Sequence, residues 1–340
     1  MSRVVTFGEI MMRLQPVGYK RIVQADSFEA IYGGGEANVA VSLANYGLDA
    51  AFVSKIPDNL VGDACVNSLR RFGVNTSKIV RGGERLGLYF CEKGASQRAS
   101  NVIYDRAGSA IAKATSSDFN WNEIFEGAEW FHFTGITPAL SDEMAEITKE
   151  ACVAAKERGI TISCDLNYRK KLWSKEKAKS VMTGLMEYVD VVIANEEDAA
   201  DVFGITASNT DITSGEISRE GYKEVAKKLA DTFNLKAVAI TLRESISASQ
   251  NGWSAMLYMN GEYNFSKRYL ITIVDRVGGG DSFGGGLIYS LLTGKNAKDA
   301  VEFAVAASAL KHTIEGDANM VTLSEVEKLA GGDGSGRVSR

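Results

Sequence analysis

The sequence predicts an α/β protein with a central, mostly parallel β-sheet, helices on both faces of that sheet and a small β-sheet lid. Apolar segments of strand length alternate with amphipathic helical segments, most regularly from residue 130 onward. A glycine-rich turn at 278–280 joins an apolar segment to a helix. Residues 86–106 contain two short strand-like segments around a polar turn, which is typical of a hairpin and not of another β-α-β unit.

The order of the elements supports a parallel sheet, because helical segments separate most of the strands. Strands are predicted at residues 4–7, 51–54, 130–134, 161–165, 191–194, 237–241 and 270–274. Helices are predicted at residues 39–46, 58–72, 144–155, 177–188, 196–203, 222–233, 281–292 and 297–311. We expect one domain at 1–330, with the lid inserted at about 10–31 and 86–107, a surface loop at 207–218 and a flexible glycine-rich tail at 331–340.

Composition excludes several classes of function. The 340 residues include 38 basic and 43 acidic side chains, a net charge of −5, which gives no footprint for nucleic acid or an anionic membrane. The four cysteines lack C-x-x-C spacing and there are two histidines, so neither a zinc site nor a histidine-rich metal site is predicted. No signal peptide or membrane-spanning run is recognisable, and we expect a cytoplasmic protein.

The stretch 275–286 carries the strongest functional signal. Three glycines, Gly278, Gly279 and Gly280, precede Asp281 at the start of an apolar helix. Such a turn points unpaired backbone N–H groups and the positive end of the helix dipole at an anion. The pattern predicts a phosphate cradle in which Asp281 accepts a proton from a hydroxyl group. The simpler alternative is that Asp281 only stabilises the helix N-terminus, which would not require three glycines.

A second motif overlaps the first. Gly280 to Gly284 matches G-x-S-x-G, in which Ser282 would be the nucleophile of a serine hydrolase. That reaction needs a downstream histidine, and the chain offers only His312, in or just past a predicted helix. A hydrolase is therefore a minor alternative.

Polar side chains follow several predicted strands and predict a site at that edge of the sheet. They are Asp165, Asn167 and Arg169 after one strand, Asn195, Glu196, Glu197 and Asp198 after the next, and Thr241 and Arg243 after a third.

Other residues have two possible roles each. A glycine cluster at 33–35, before Asn38, is either a tight loop or a contact for ligand hydroxyls. Arg106 and Arg169 are either solvated or bind a carboxylate. His132, between aromatic residues, is predicted to be packed in the core.

Together, the stretches 33–47 and 275–286 resemble the two signature regions of the ribokinase-like, PfkB-type carbohydrate kinases, and the resemblance extends over nearly the whole chain. Within that family the sequence is most similar to the 2-keto-3-deoxygluconate kinases. This likeness rests on Gly34 to Asn38, Tyr89, Tyr104 to Arg106, Phe131 to Leu140, Asp165 to Arg169 and Gly316–Asp317.

The resemblance implies an ATP- and Mg²⁺-dependent kinase in which Asp281 is the general base and the amides of Gly278, Gly279 and Gly280 form the anion hole. It places the following residues around a sugar acid: Gly34, Asn38, Tyr89, Tyr104, Arg106, Arg169 and Asp317. It places Asn167, Asn195, Thr241 and Arg243, with Gly278 and Gly280, on the nucleotide side. A carboxylate substrate also gives a physical reason for two arginines in the pocket.

Four positions depart from the family pattern. Arg276 replaces a small or β-branched residue, Gly279 replaces alanine and Arg243 replaces glycine. Asp198 stands where the family has a glutamate linked to magnesium through water, so the metal site is left unassigned, with Asp198 as a water-mediated candidate.

The alternative functions are a fructokinase or ribokinase and a non-catalytic sugar or nucleotide sensor. Exposed strand edges in the lid predict a homo-oligomer, a dimer or higher, that pairs through the lid.

Overall fold

The computed structural model describes residues 3–195, 197–207 and 219–336, which form two β-sheets and the helices around them. The strands are β1 (Arg3–Phe7), β2 (Met11–Pro16), β3 (Phe28–Gly33), β4 (Asp49–Ile56), β5 (Ile79–Arg81), β6 (Gly87–Glu92), β7 (Asn101–Asp105), β8 (Ala128–Thr134), β9 (Thr161–Asp165), β10 (Val191–Ala194), β11 (Ala237–Ser245), β12 (Gln250–Met259), β13 (Glu262–Phe265) and β14 (Tyr269–Thr272). The helices are α1 (Gly35–Asn45), α2 (Leu60–Arg70), α3 (Trp121–Ile124), α4 (Asp142–Glu157), α5 (Lys175–Met186), α6 (Asp198–Phe203), α7 (Arg219–Phe233), α8 (Gly279–Leu292), α9 (Ala297–Lys311) and α10 (Leu323–Ala330).

The larger sheet has the order β13-β12-β11-β10-β9-β8-β1-β4-β5, and β14 also pairs with β12. All pairings from β11 to β5 are parallel. Alternate residues of β8 enter different hydrophobic clusters, with Phe131 and Phe133 on one face and Trp130 on the other. Both faces are therefore buried, which explains why these strands are apolar throughout and confirms the predicted fold class.

The small sheet has the order β3-β2-β6-β7. Strands β6 and β7 form the predicted hairpin, in which Cys91 pairs with Val102. The segment after Glu9 supplies β2, parallel to β6, and β3, antiparallel to β2. A separate small sheet therefore lies beside the main one, as predicted.

The antiparallel edge of the large sheet departs from simple β-α-β repetition. Strand β14 is antiparallel to β12, and β12 is antiparallel to β11. Strand β14 therefore ends at the same edge as the parallel strands, and this brings the glycine turn to that edge. The hairpin of β12 and β13 was not predicted, although its turn is Asn260–Gly261, with φ values of 54° and 79°, a typical hairpin signal.

The glycines of α8 allow close packing between helices. A Cβ atom on Gly285 would lie 2.7 Å from the Cβ of Ser42 in α1, and one on Gly286 would lie 2.9 Å from the Cα of Ala304 in α9. Helix α8 is thereby packed between two neighbours, which fixes the direction of its first turn.

Several predicted segments lie partly outside the described residues. These are Glu196, most of the predicted loop at 207–218 and the last four residues of the predicted tail. Residues 331–336 follow α10 without helix or strand. No helix in the described part of the chain combines the length and apolar character needed to cross a membrane.

Candidate active site

A cavity of about 350 Å³ lies at the carboxyl ends of the parallel strands, between the two glycine clusters and the small sheet. All but one of the predicted site residues line it. The lining residues from that set are Gly34, Asn38, Tyr89, Tyr104, Arg106, Asn167, Arg169, Asn195, Asp198, Thr241, Arg243, Gly278, Gly280, Asp281 and Asp317. The exception is Gly279.

Asp281 lies in the first turn of α8 and faces this cavity. Its Oδ2 accepts a 2.7 Å hydrogen bond from Nδ2 of Asn38, in α1. Burial raises the pKa of Asp281 to about 6, and the hydrogen bond from Asn38 opposes this rise. A carboxylate with this pKa is mostly ionised at neutral pH and can still accept a proton, which suits a general base.

The glycine turn forms the start of α8 at the cavity. Gly278 has a φ of +83°, and a Cβ atom there would lie 1.8 Å from the carbonyl oxygen of Asp317. In the described part of the chain, the amides of Gly280 and Asp281 have no hydrogen-bond acceptor. These two amides can therefore bind a phosphate oxygen in front of α8.

Gly279 differs from its two neighbours. Its amide donates to the carbonyl oxygen of Arg276 at 3.3 Å, and its own carbonyl accepts a 2.6 Å bond from Ser308. A Cβ atom on Gly279 would lie 2.4 Å from the His312 ring. This glycine therefore allows helix packing and does not face the cavity.

The serine-hydrolase alternative finds no support in the geometry. Ser282 is buried, and its Oγ has no hydrogen-bond partner among the described residues. The Nδ1 of His312 lies 2.7 Å from the carbonyl oxygen of Ser308. Ser282 thus has no base to activate it.

The small sheet contributes a buried network at one end of the cavity. The hydroxyl of Tyr89, in β6, donates to Asp317. Arg13, in β2, is fully buried, and its guanidinium lies 2.7 Å from Asp317 and 2.8 Å from Asp275. Asp317 is therefore held in place from two sides by the small sheet.

Arg106 and Arg169 have different surroundings. Arg106 donates through Nε to the buried carboxylate of Glu9 at 2.8 Å, and Glu9 also accepts a 2.7 Å bond from Ser109. Arg169 lines the cavity and is exposed, and its charge acts on the carboxylates of Asp165, Asp198 and Asp281. Arg169 is thus the guanidinium on this side that is available to a substrate carboxylate.

Asp198 and Asn195 fix the loops at the far end of the cavity. Asp198 is buried and accepts bonds from the amides of Tyr168 at 3.1 Å and Asn195 at 3.0 Å. Burial raises the pKa of Asp198, and these amide bonds oppose the rise. The described residues contain no cluster of three or more acidic, histidine or cysteine side chains that could hold a metal ion.

Two arginines line the same part of the cavity. The Nη2 of Arg276 donates to the carbonyl oxygen of Ala248 at 3.1 Å. Burial and the neighbouring charge of Arg243 lower the pKa of Arg276. Two guanidinium groups that repel one another favour a bound polyanion between them. Thr241, beside them, is buried and donates to Ala194 at 3.4 Å.

Sequence reasoning missed Arg13, Glu9 and Glu36. Glu36 is buried and accepts bonds from Thr134 and Thr137, and burial raises its pKa to about 7. Its place in the first turn of α1, between Gly35 and Asn38, was a usable signal, because a buried acidic residue needs such partners. Glu9 and Arg13 gave no such signal in the sequence, since their partners are distant in the chain.

His132 is buried, as predicted, with Nδ1 2.8 Å from Ser163 Oγ.

Comparison with known proteins places this geometry in a family. The model of the pfkB family of carbohydrate kinases matches residues 1–323. A crystal structure of 2-dehydro-3-deoxygluconokinase from Thermotoga maritima is 55% identical, with a TM-score of 0.94, and the match covers 98% of this chain and 100% of that one.

Two curated relatives match over similar lengths. A 2-dehydro-3-deoxygalactonokinase from Haloferax volcanii is 35% identical, over 98% of each chain. A 2-dehydro-3-deoxygluconokinase from Bacillus subtilis is 30% identical, over 96% of this chain and 94% of the relative. With a family match over nearly its whole length and a cavity that holds the signature residues together, the chain belongs to the pfkB family of carbohydrate kinases.

Proposed function

We propose that the protein transfers the γ-phosphoryl group of ATP to the terminal hydroxyl of 2-dehydro-3-deoxy-D-gluconate (2-keto-3-deoxygluconate) and forms the 6-phosphate. The observation that carries the proposal is the contact of Asp281 with Asn38, which joins the general base to the first glycine cluster within one cavity. The relatives named for this sugar acid support the choice of substrate.

In the proposed reaction, Asp281 removes the proton from the substrate hydroxyl as its oxygen forms a bond to the γ-phosphorus. The bond between that phosphorus and the β–γ bridging oxygen breaks, and ADP leaves with the electron pair. The backbone amides of Gly280 and Asp281 stabilise the negative charge on the transferring group.

At the sugar end, Arg169 binds the substrate carboxylate, and Gly34, Asn38, Tyr89, Tyr104 and Asp317 surround the rest of the molecule. Arg106 orders this end through its bond to Glu9. At the nucleotide end, Arg243 and Arg276 bind phosphate oxygens, while Asn167, Asn195 and Thr241 contact the remainder of the nucleotide. Each of these residues except Glu9 lines the cavity.

Magnesium is part of the proposal only in a restricted form. The oxygens of Asp198 already accept backbone hydrogen bonds, and the described residues offer no three-carboxylate cluster. A Mg²⁺ ion would therefore be held mainly by phosphate oxygens and water, with Asp198 reaching it through water. The requirement for Mg²⁺ is tested by measuring the activity that remains after chelation with EDTA, with ATP at saturation.

A second candidate substrate is 2-dehydro-3-deoxy-D-galactonate, favoured by the Haloferax relative. The deciding experiment is a coupled assay of ADP release by the purified protein with both sugar acids, fructose and ribose. We expect the highest kcat/KM with 2-dehydro-3-deoxy-D-gluconate. A higher value with fructose or ribose would overturn the sugar-acid proposal, and the absence of ADP release with any of them would indicate a sensor.

We also propose a cytoplasmic homo-oligomer, a dimer or higher, that pairs through the small sheet. Its edge strands β3 and β7 expose Phe28 (38%) and Ile103 (51%), which an isolated subunit would leave in water. The four cysteines are free and buried, which suits a reducing compartment. Light scattering of the wild type and of Ile103→Lys tests the interface, and a monomeric wild type would contradict it.

A further inference from the structure

Arg13 is the largest of the fully buried side chains. It belongs to the small sheet, although its ionic partners lie outside that sheet, Asp275 after β14 and Asp317 after α9. Neither Arg13 nor Asp275 lines the cavity. A buried ion pair of this kind is weak evidence for stability, because removing both charges from water is costly. The arrangement therefore calls for another explanation.

One arm of the network leads to the sugar end. Arg13 and Tyr89 are register partners in the pairing of β2 with β6, and both bind the carboxylate of Asp317. That carboxylate packs against the first glycine cluster, because a Cβ atom on Gly33 would lie 2.3 Å from Asp317 Oδ2. The backbone of Asp317 packs against Gly278.

The other arm leads to the phosphate-binding turn, defined here as residues 275–281. The carboxylate of Asp275 accepts bonds from the amides of Val277 at 3.1 Å and Gly316 at 3.2 Å, besides its pair with Arg13. Lys311, also fully buried, donates to the carbonyl oxygens of Asp275 and Ile314. Arg13 is thus a direct ionic link from the small sheet to this turn.

We propose that Arg13 is a positioning residue that couples the placement of the small sheet over the sugar to the geometry of the phosphate-binding turn. It touches neither substrate. It acts through Asp275, whose carboxylate holds the Val277 amide at the start of the turn, and through Asp317, which packs against Gly278. This role rests on the proposed function, in which Tyr89 and Tyr104 of the small sheet contact the sugar while the turn binds the transferring phosphoryl group.

The test compares steady-state kinetics of Arg13→Lys, Arg13→Met and Asp275→Asn with the wild type, using whichever sugar the wild type phosphorylates fastest. A lysine keeps the charge but cannot pair with both carboxylates as a guanidinium does. We expect each variant to lose kcat by about tenfold to a hundredfold, the range that a small misplacement of catalytic groups produces. In Asp275→Asn the KM for the sugar should stay within about twofold, because Asp317 and Tyr89 keep their contacts.

Lys55→Met is the matched control, since it breaks a largely buried pair with Asp118 that lies outside the cavity. It should lower the melting temperature and leave kcat unchanged. Folded variants of Arg13 and Asp275 with wild-type kcat would overturn the proposal. If both Arg13 variants fail to fold, Asp275→Asn alone decides. If the wild type prefers a sugar other than 2-dehydro-3-deoxy-D-gluconate, the proposed substrate is wrong, but the kinetic comparison of the Arg13 and Asp275 variants remains valid.

Discussion

The side-chain amide of Asn38 donates a 2.7 Å hydrogen bond to the carboxylate of Asp281 across 243 residues of sequence. This bond connects the start of α1 with the start of α8. Both helices begin at a glycine cluster, so their N-termini face the same cavity. Two helix dipoles and a desolvated carboxylate therefore meet where the acceptor hydroxyl and the phosphoryl group are proposed to react.

The pH dependence of kcat/KM should report the protonation of Asp281. The base must be ionised, and its pKa is about 6. Activity should therefore rise with pH through about 6 and fall about tenfold per unit below it. Steady-state rates between pH 4.5 and 8.5 check this prediction. An acid limb with a midpoint near 4, the usual pKa of an aspartate, would contradict it.

The raised pKa of Asp281 also predicts that the stability of the fold falls as the pH rises, whereas the activity rises. Burial raises the pKa of Asp281 from 3.8, so the folded state holds a proton between about pH 4 and 6 that the unfolded state has lost. Ionising the buried group therefore destabilises the fold as the pH rises through this window. Asp281→Asn should melt at a higher temperature than the wild type at pH 8, and this advantage should shrink at pH 4. Calorimetry at the two pH values checks it, and equal differences at both would contradict it.

Replacing Arg169 should separate sugar acids from neutral sugars. Arg169→Met removes the guanidinium that lines the cavity, and a lost charge-assisted hydrogen bond costs about 1.5–3 kcal/mol. We expect kcat/KM for the sugar acid to fall about tenfold to a hundredfold and any activity on fructose to change little. Kinetics on both substrates measure this. Equal losses would argue against a carboxylate partner.

Replacing Arg276 should weaken nucleotide binding through the phosphates. In Arg276→Met we expect the affinity for ADP to fall by about tenfold while the affinity for adenosine is unchanged, because only the phosphate contact is lost. Isothermal titration of both ligands measures the difference. Arg268→Met, which removes an exposed guanidinium paired with Glu244, is the control. Parallel losses of ADP and adenosine would show that Arg276 shapes the pocket and does not bind phosphate.

Sequence patterns predicted the parallel sheet, the hairpin of the small sheet and the polar residues after the strands, because these depend on local signals. Tyr89, Tyr104 and Asp317 were predicted only from the family resemblance. Buried parallel strands are apolar on both faces, and glycine clusters mark helix starts near ligands. The common carboxyl edge of the strands then brings Asp165, Asn195 and Thr241 together without further information.

The remaining features depend on contacts between distant residues. Strand β2 buries Arg13 and Gln15 and leaves Leu14 partly exposed, which inverts the usual hydrophobic pattern. Such a strand cannot be distinguished from a polar loop until the partners of Arg13, 262 and 304 residues away, are known. The different role of Gly279 likewise depends on the His312 ring, which lies in another part of the sequence.

The most direct test of the account is the turnover of Asp281→Asn at pH 7.5, together with its affinity for the sugar acid. We expect kcat to fall by a factor on the order of 10²–10⁴, the usual contribution of a general base, with substrate affinity within a few fold. Ser282→Ala, which changes the next residue in the same helix turn, should keep wild-type kcat. Wild-type turnover in Asp281→Asn, or loss of turnover in Ser282→Ala alone, would contradict the account.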